Sequence, residues 1–399
     1  MSENTDRDFP SELLNASKKE RLDYYDNYTM AHPLLDKAFK ALKPLIRHCG
    51  ETKLILIVGP TGVGKTKLKQ LAEKWIIEEL WKSIQTNPGY IAVASVEAVL
   101  MASGLFNAKD HLKRSLYALH EPEIFIKNKI NYKTDSVYRT EDGSLAIKSR
   151  ILESELGQAL EQALKHRHPQ IFFIDEAHHM LAFTSGRKLA EVPEAIKSLA
   201  NRTGVLHGLV GTYRMLDLHD IGDQLSRRSI YIHLPRYDAK YREDIEDWQS
   251  IIWNFQTQIP IQEEPDFESH WEYLYARSLG CVGILKNWTR NAFADAMEED
   301  AKTVTLKHLE QRALSVGQCK NILQKIKEGE GRYAQIEGDY NELRNALGLD
   351  QESISRKKKA PQSNQNNSEA KADSPSRKKK NVGLRKPTRD PIGIDRDAG

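Results

Sequence analysis

Cysteine is scarce. The 399 residues hold three, Cys49, Cys281 and Cys319, widely spaced and without a CxxC pair. That argues against a disulfide framework and against a thiolate zinc site, and it fits a reducing cytoplasm. Long apolar runs are missing as well: nothing approaches the roughly 20 residues that cross a bilayer, so no membrane contact is expected. The opening residues, Met1-Ser-Glu-Asn-Thr-Asp-Arg-Asp, are polar and lack the apolar centre of a signal peptide. There is no internal repeat. What remains is a chain with 39% hydrophobic residues, enough for one large or two medium globular domains plus tails.

The net charge of +3 hides an asymmetry. Residues 351–399 carry 13 Lys/Arg and 6 Asp/Glu, a net of +7, so residues 1–350 carry 3 − 7 = −4. The body is mildly acidic, and contact with nucleic acid must come from local basic patches. The tail, with its runs Arg356-Lys-Lys-Lys and Arg377-Lys-Lys-Lys, has almost no apolar surface to bury and is expected to be disordered. Its last piece, from Val382 to Asp395, regains some apolar residues and reads either as a docking motif or as plain terminus.

Between these ends, short apolar runs alternate with helical periodicity. Strands are predicted at Lys53–Val58, Tyr90–Val96, Ile171–Ile174, Val205–Val210 and Ile230–Leu234, and helices over residues 32–48, 65–81, 151–165 and 191–201. Such alternation implies an α/β fold with a parallel sheet covered on both faces. Residues 238–316 show helical patterns only, as for a small helical lid. The expected organisation is a helical extension (1–50), an α/β domain (51–237) with an insertion near 105–148, the lid (238–316), a helical segment (317–350) and the basic tail (351–399).

Gly59-Pro60-Thr61-Gly62-Val63-Gly64-Lys65-Thr66 matches GxxxxGK[ST] between a predicted strand and a predicted helix. Glycines allow backbone N–H groups to curl around phosphates at a helix N-terminus. Lys65 supplies a charge for the β- and γ-phosphates of ATP, and Thr66 a hydroxyl ligand for Mg²⁺. Ile171-Phe-Phe-Ile-Asp175-Glu176 reads as a Walker B strand, with Asp175 toward Mg²⁺ and Glu176 placed to accept a proton from water. Two adjacent carboxylates ending a buried strand need a cation or donors. Thr212, at the tip of another strand, is either a γ-phosphate sensor or a helix N-cap. Arg227 and Arg228 precede the last strand and read as arginine fingers, Arg228 in preference, or as a solvated basic pair. Asp175-Glu-Ala-His178 also spells a helicase box, but no second strand–helix sheet follows residue 240. His178 and His179, adjacent and so on different faces, argue against zinc.

The order GPTGVGKT, IFFIDEAHHM, LVGTYR and QLSRRSIYIHLPRY, with a helix at His32-Pro33 before the loop, resembles the TniB/TnsC family of transposition AAA+ ATPases over roughly residues 20–315. The resemblance implies a P-loop AAA+ (ASCE) fold and a homo-oligomer, ring or filament, formed on double-stranded DNA in an ATP-dependent way. Its implied partners are a targeting protein of the TniQ type or a CRISPR effector, and a DDE transposase. Lys286, in Gly280-Cys-Val-Gly-Ile-Leu-Lys286, then falls where sensor 2 leads. Tyr24, Tyr25 and His32 either flank the adenine or pack internally. The 110 positions from Lys65 to Asp175 exceed a minimal core. In the extra length, Lys109, Lys113, Arg114, Lys127, Lys129, Lys133 and Arg139 alternate with Phe125, Tyr132 and Tyr138. Lys109, Lys113 and Arg114 are read as phosphate-backbone contacts, against the plainer reading of a solvated face. Two other functions fit the motifs: a helicase loader or replication initiator, which a winged-helix domain after the lid would favour, and a nucleotide-gated scaffold with little hydrolysis, against which Glu176 speaks.

Overall fold

A computed structural model describes residues 7–87, 89–119, 130–141, 144–182, 186–221, 229–338 and 340–349, without the side chains of 186–193 and 219–221. Arg227, Arg228, Phe125, Lys127, Lys129 and the tail from 351 onward lie outside the described residues. The chain divides into two units, Met1–Leu343 and Arg344–Gly399. Of the second, only residues 344–349 are described.

In chain order, the first unit begins with helices α1 (Lys18–Asn27) and α2 (Pro33–Arg47). Then come β1 (Leu54–Val58), α3 (Lys65–Glu79), α4 (Trp81–Thr86) and β2 (Val93–Glu97). The insertion holds α5 (Ala108–Ala118) and an antiparallel pair, β3 (Val137–Arg139) and β4 (Leu145–Ile147). Strands of three residues are too short to show an alternation, so periodicity does not reveal this pair. The core resumes with α6 (Glu153–Arg167), β5 (Ile171–Asp175), α7 (Gly186–Thr203), β6 (Leu206–Gly211) and β7 (Ser229–His233). Helices α8 (Arg242–Thr257), α9 (Trp271–Ser278), α10 (Val282–Glu298) and α11 (Leu306–Arg312) form the lid, followed by α12 (Val316–Glu337) and α13 (Tyr340–Ala346).

The five long strands form one parallel sheet in the order β2-β5-β6-β1-β7. This is the P-loop AAA+ fold. β1, β5 and β6 are buried along their whole length, the state their unbroken apolar runs predict. Ile55, Ile57, Phe173 and Val210 pack on α2 and α3 through Leu42, Leu68 and Ala72, while Leu56, Phe172, Ile174 and Leu209 turn toward α5 and α6. The register aligns Val58 with both Gly211 and His233, and Asp175 with Glu97, so these strands end at one carboxyl edge. β6 separates β1 from β5 and brings Thr212 between them.

Trp248, Phe255, Leu285 and Phe293 form the lid core, and α1 joins it: Tyr25 is fully buried, packs edge-on against Phe255 and Phe293, and shares a 2.9 Å hydrogen bond with Thr289. His32 is buried with its Nδ1 2.9 Å from the Tyr237 hydroxyl. Tyr25 and His32 are therefore engaged in internal packing. Among the described residues, no helix is long and apolar enough to cross a membrane.

Candidate nucleotide site

The loop after β1 is shaped by close approach. A Cβ on Gly59 would stand 2.1 Å from the Leu234 carbonyl oxygen, so no other residue fits. Gly62 sits at φ +81°, a region costly for side-chain-bearing residues. Its carbonyl accepts a 2.7 Å bond from the Gly283 N–H, which ties the loop to the first turn of lid helix α10. Pro60 and Val63 are buried, whereas Thr61 and Thr66 are exposed and Gly64 precedes α3 as its left-handed cap. The N–H groups of the α3 first turn, which have no partner within a helix, follow directly on this loop, the arrangement that receives phosphate.

Lys65 is 8% exposed, and its ammonium donates to the carbonyls of Gly59 (3.1 Å) and Pro60 (2.7 Å). Burial pulls its pKa down to about 8, against the pull of Glu176, Cys281 and Asp175, which favour the charge. Those last interactions place the loop lysine in the field of both carboxylates. Asp175 is buried and accepts from the Glu176 N–H at 2.9 Å. Glu176 itself has a left-handed backbone (φ 49°), a strained conformation of the kind that collects at functional sites. Burial raises its carboxyl pKa above the usual range; Asp175 adds to this and Lys65 opposes it.

Thr212 Oγ1 is buried without a hydrogen-bond partner, although the Thr212 carbonyl accepts from Met215 N–H at 2.9 Å. The side chain therefore does not cap the helical turn that follows, and a buried orphan hydroxyl stands at the tip of the strand between the loop and the carboxylates. The site fits a nucleoside triphosphate with a divalent cation: a glycine-shaped cradle, a buried ammonium, two converging carboxylates and a hydroxyl in need of a partner.

Two neighbours, Lys69 and Arg236, escape motif reading. Lys69, one helical turn after Lys65, lies 3.7 Å from Asp175 and 3.4 Å from Glu73, and can neutralise the Asp175 carboxylate. Its i+4 spacing from Lys65 is the signal that would have found it. Arg236 is buried, 3.1 Å from Glu330 of α12 and 3.4 Å from Asp238; no local pattern points to it. His178 Nδ1 lies 3.1 Å from Glu176 Oε2.

The expectation for the two histidines needs correction. Residues Ala177–Leu181 form a 3₁₀ helix, whose turn of about 120° per residue keeps neighbours from pointing to opposite sides. The two rings lie 4.4 Å apart, and with Glu176 their ligand atoms fall within 4.8 Å of one another. His179 Nδ1 is engaged with the Ala98 carbonyl at 2.7 Å.

The lid residue Lys286 donates 2.7 Å bonds to the carbonyls of Asp26 and Tyr28, so its ammonium fastens α10 to the N-terminal helix. Lys109, Lys113 and Arg114 lie on α5, where Arg114 pairs with Asp110 at 2.7 Å. The rest of the basic–aromatic stretch is mixed: Tyr138 is exposed, but Tyr132 is buried and the Arg139 guanidinium nitrogens are buried without a partner among the described residues.

Residues 47–218 match the family described as an AAA domain. No curated protein matches the chain in sequence. Among solved structures, the chain is similar to the Aeropyrum pernix ORC2 protein, with 15% identity, 74% of this chain and 72% of that one covered, and a TM-score of 0.47. It is also similar to a Walker-type ATPase of Pyrococcus abyssi (14% identity, 84% and 89% covered, TM-score 0.46). A third likeness is to the Aeropyrum pernix ORC1 protein, solved in complex with DNA (17% identity, 76% and 68% covered, TM-score 0.44).

Proposed function

We propose that this AAA domain hydrolyses ATP and that the protein assembles on double-stranded DNA, linking selection of a target site to recruitment of a transposase. The observation that carries the nucleotide chemistry is the burial of the Lys65 ammonium in the field of Glu176 and Asp175 at one sheet edge. Thr66 and Asp175 would hold Mg²⁺, which supplies charge neutralisation to the phosphates when bound. Backbone N–H groups of 59–66 and Lys65 hold the triphosphate, Thr212 orients through its free hydroxyl, and Glu176 accepts the proton of the attacking water. Lys286 as sensor 2 requires release from its carbonyl partners. Arg228, or Arg227, would act on a neighbouring copy's nucleotide in a ring or filament.

The transposition reading is supported by the motif order in residues 20–315, which resembles the TniB/TnsC family. The expected partners are a TniQ-type protein or CRISPR effector on one side and a DDE transposase on the other. Basic residues Lys109, Lys113 and Arg114 support a sequence-independent grip on the duplex.

The test uses two variants and one partner assay. Lys65→Ala should lose ATP binding and ATP-dependent assembly on duplex DNA. Glu176→Gln should bind and assemble but turn over about 10²- to 10⁴-fold more slowly, leaving persistent DNA complexes. Normal hydrolysis by the second variant would exclude Glu176 as the base. For wild type, kcat/KM should fall at low pH through the raised Glu176 carboxyl, which must be ionised to act. It should fall again above about pH 8, as free Lys65 loses its charge. Co-sedimentation of a DDE transposase with ATP-loaded protein on duplex DNA checks the finer reading, and failure to recruit it leaves only the ATPase.

A further inference from the structure

A cavity of ≈ 920 Å³ lies apart from the phosphate loop, between α5, α6 and α7 and one face of β5 and β6. That volume falls at the upper end of sites for small molecules. Its wall is mostly apolar: Phe172 and Ile174 of the Walker B strand, Leu160 of α6, Leu199 of α7, and Met180 just beyond Glu176. Its polar lining includes two histidines, His207 of β6 and His111 of α5, with Ser115 and Arg202.

The two rings are chemically unfinished. His207 is 1% exposed; its Nδ1 lies 3.0 Å from the carbonyl of Val205 on its own strand, while Nε2, on the ring edge away from that strand, has no partner. With Nδ1 bound to a carbonyl, the proton sits there and Nε2 is an acceptor. Burial holds the ring neutral, with its pKa lowered to about 4. His111 is likewise buried, against Phe106, with Nδ1 unpartnered and its pKa lowered to about 4. Buried ring nitrogens without partners are uncommon in folded proteins, and neither the Ser115 hydroxyl, which donates to the His111 carbonyl, nor any other described group satisfies these two.

We propose that this cavity is a binding site for a small, largely apolar molecule carrying an O–H or N–H donor, distinct from the nucleotide site. The donor meets His207 Nε2, and the apolar body fills the space beside Phe172 and Leu160. The site's position gives it consequence. Ile174 and Met180 flank Asp175 and Glu176 in the chain, so an occupant presses on the segment that carries both carboxylates. α5 forms the opposite wall through His111 and Ser115, while the same helix bears Lys109, Lys113 and Arg114. This inference does not rest on the transposition reading or on hydrolysis.

The test is calorimetry on the full chain with 2-naphthol, and with 2-methoxynaphthalene as the matched molecule lacking a donor. Binding of naphthol about three- to tenfold tighter than the ether is expected, the ratio a single hydrogen bond provides. His207→Phe should erase that ratio while leaving the ether bound. Gly157 on α6 lines the cavity and has nothing within 4 Å of a built Cβ, so Gly157→Leu should fill the space and abolish binding of both molecules with an unchanged or higher melting temperature. If naphthol fails to bind a sample that still binds a fluorescent ATP analogue, the cavity is not a ligand site and the nucleotide reading stands. Equal naphthol affinity in wild type and Gly157→Leu would place binding elsewhere and overturn the proposal. Equal affinity for the two naphthalenes would overturn the role of His207.

Discussion

The two faces of the central sheet are filled differently. On the face toward α2 and α3, Ile55, Ile57, Phe173 and Val210 join Leu42, Leu68, Ala72 and Ile76 in one buried cluster. Gly208 belongs to this packing, since a Cβ there would stand 2.4 Å from the Phe173 ring. On the opposite face, Phe172, Ile174 and His207 border a large hollow. The tight face holds β1 and α3, whose junction is the phosphate loop, and that loop depends on contacts as close as Gly59 to Leu234. The hollow face lies behind the carboxylates. Close packing lies under the cradle that presents its donors, and space is left beside the segment that carries Glu176.

Substitutions made in pairs across the sheet can break this contrast. The largest expected effect is Phe173→Ala, which leaves a void in close-packed surroundings and should cost about 3–5 kcal/mol of unfolding free energy. Phe172→Ala merely enlarges an existing hollow, so chemical denaturation should give a clearly smaller loss; equal losses would end the distinction. Next comes Gly208→Ala, where one methyl meets the Phe173 ring and overpacking should cost about 1–3 kcal/mol. Its counterpart, Gly157→Ala in α6, meets nothing and should stabilise by up to about 1 kcal/mol through helix propensity alone. The smallest effect is a slope. His207 is neutral when folded, with its pKa lowered to about 4 from the ordinary 6.5, so between those values the unfolded chain takes up a proton that the folded chain refuses. Stability should therefore decline as pH falls from 6.5 toward 4, and His207→Phe should make the decline in melting temperature shallower.

Much of the sheet was readable before the fold was known. The runs around Leu54–Val58, Ile171–Asp175 and Leu206–Gly211 are unbroken because both their faces are covered, and that pattern needs no partner to be seen. Strand ends moved by one to three residues, as for β2, which begins at Val93 rather than Tyr90. The β3–β4 pair was invisible because three residues hold no period. In the site, Gly59–Thr66 and Asp175-Glu176 were legible because each is a contiguous stretch whose chemistry is dictated by local backbone shape. His178 and His179 were expected on different faces, whereas the 3₁₀ turn brings their rings to 4.4 Å of each other.

By itself, then, the order of residues determined the glycine-shaped loop, the acidic strand end and the alternation of buried strands with helices. These depend on neighbours within a few positions, where steric and solvation preferences act without help. Tertiary structure alone decided that Gly283 of the lid holds Gly62, that Tyr25 belongs to the lid core, and that a hollow opens behind the Walker B strand. Each of these joins or encloses segments distant from one another in the chain or set on different elements. Such contacts arise from how whole faces pack, and no local pattern encodes which distant side chain will fill a given space, or fail to.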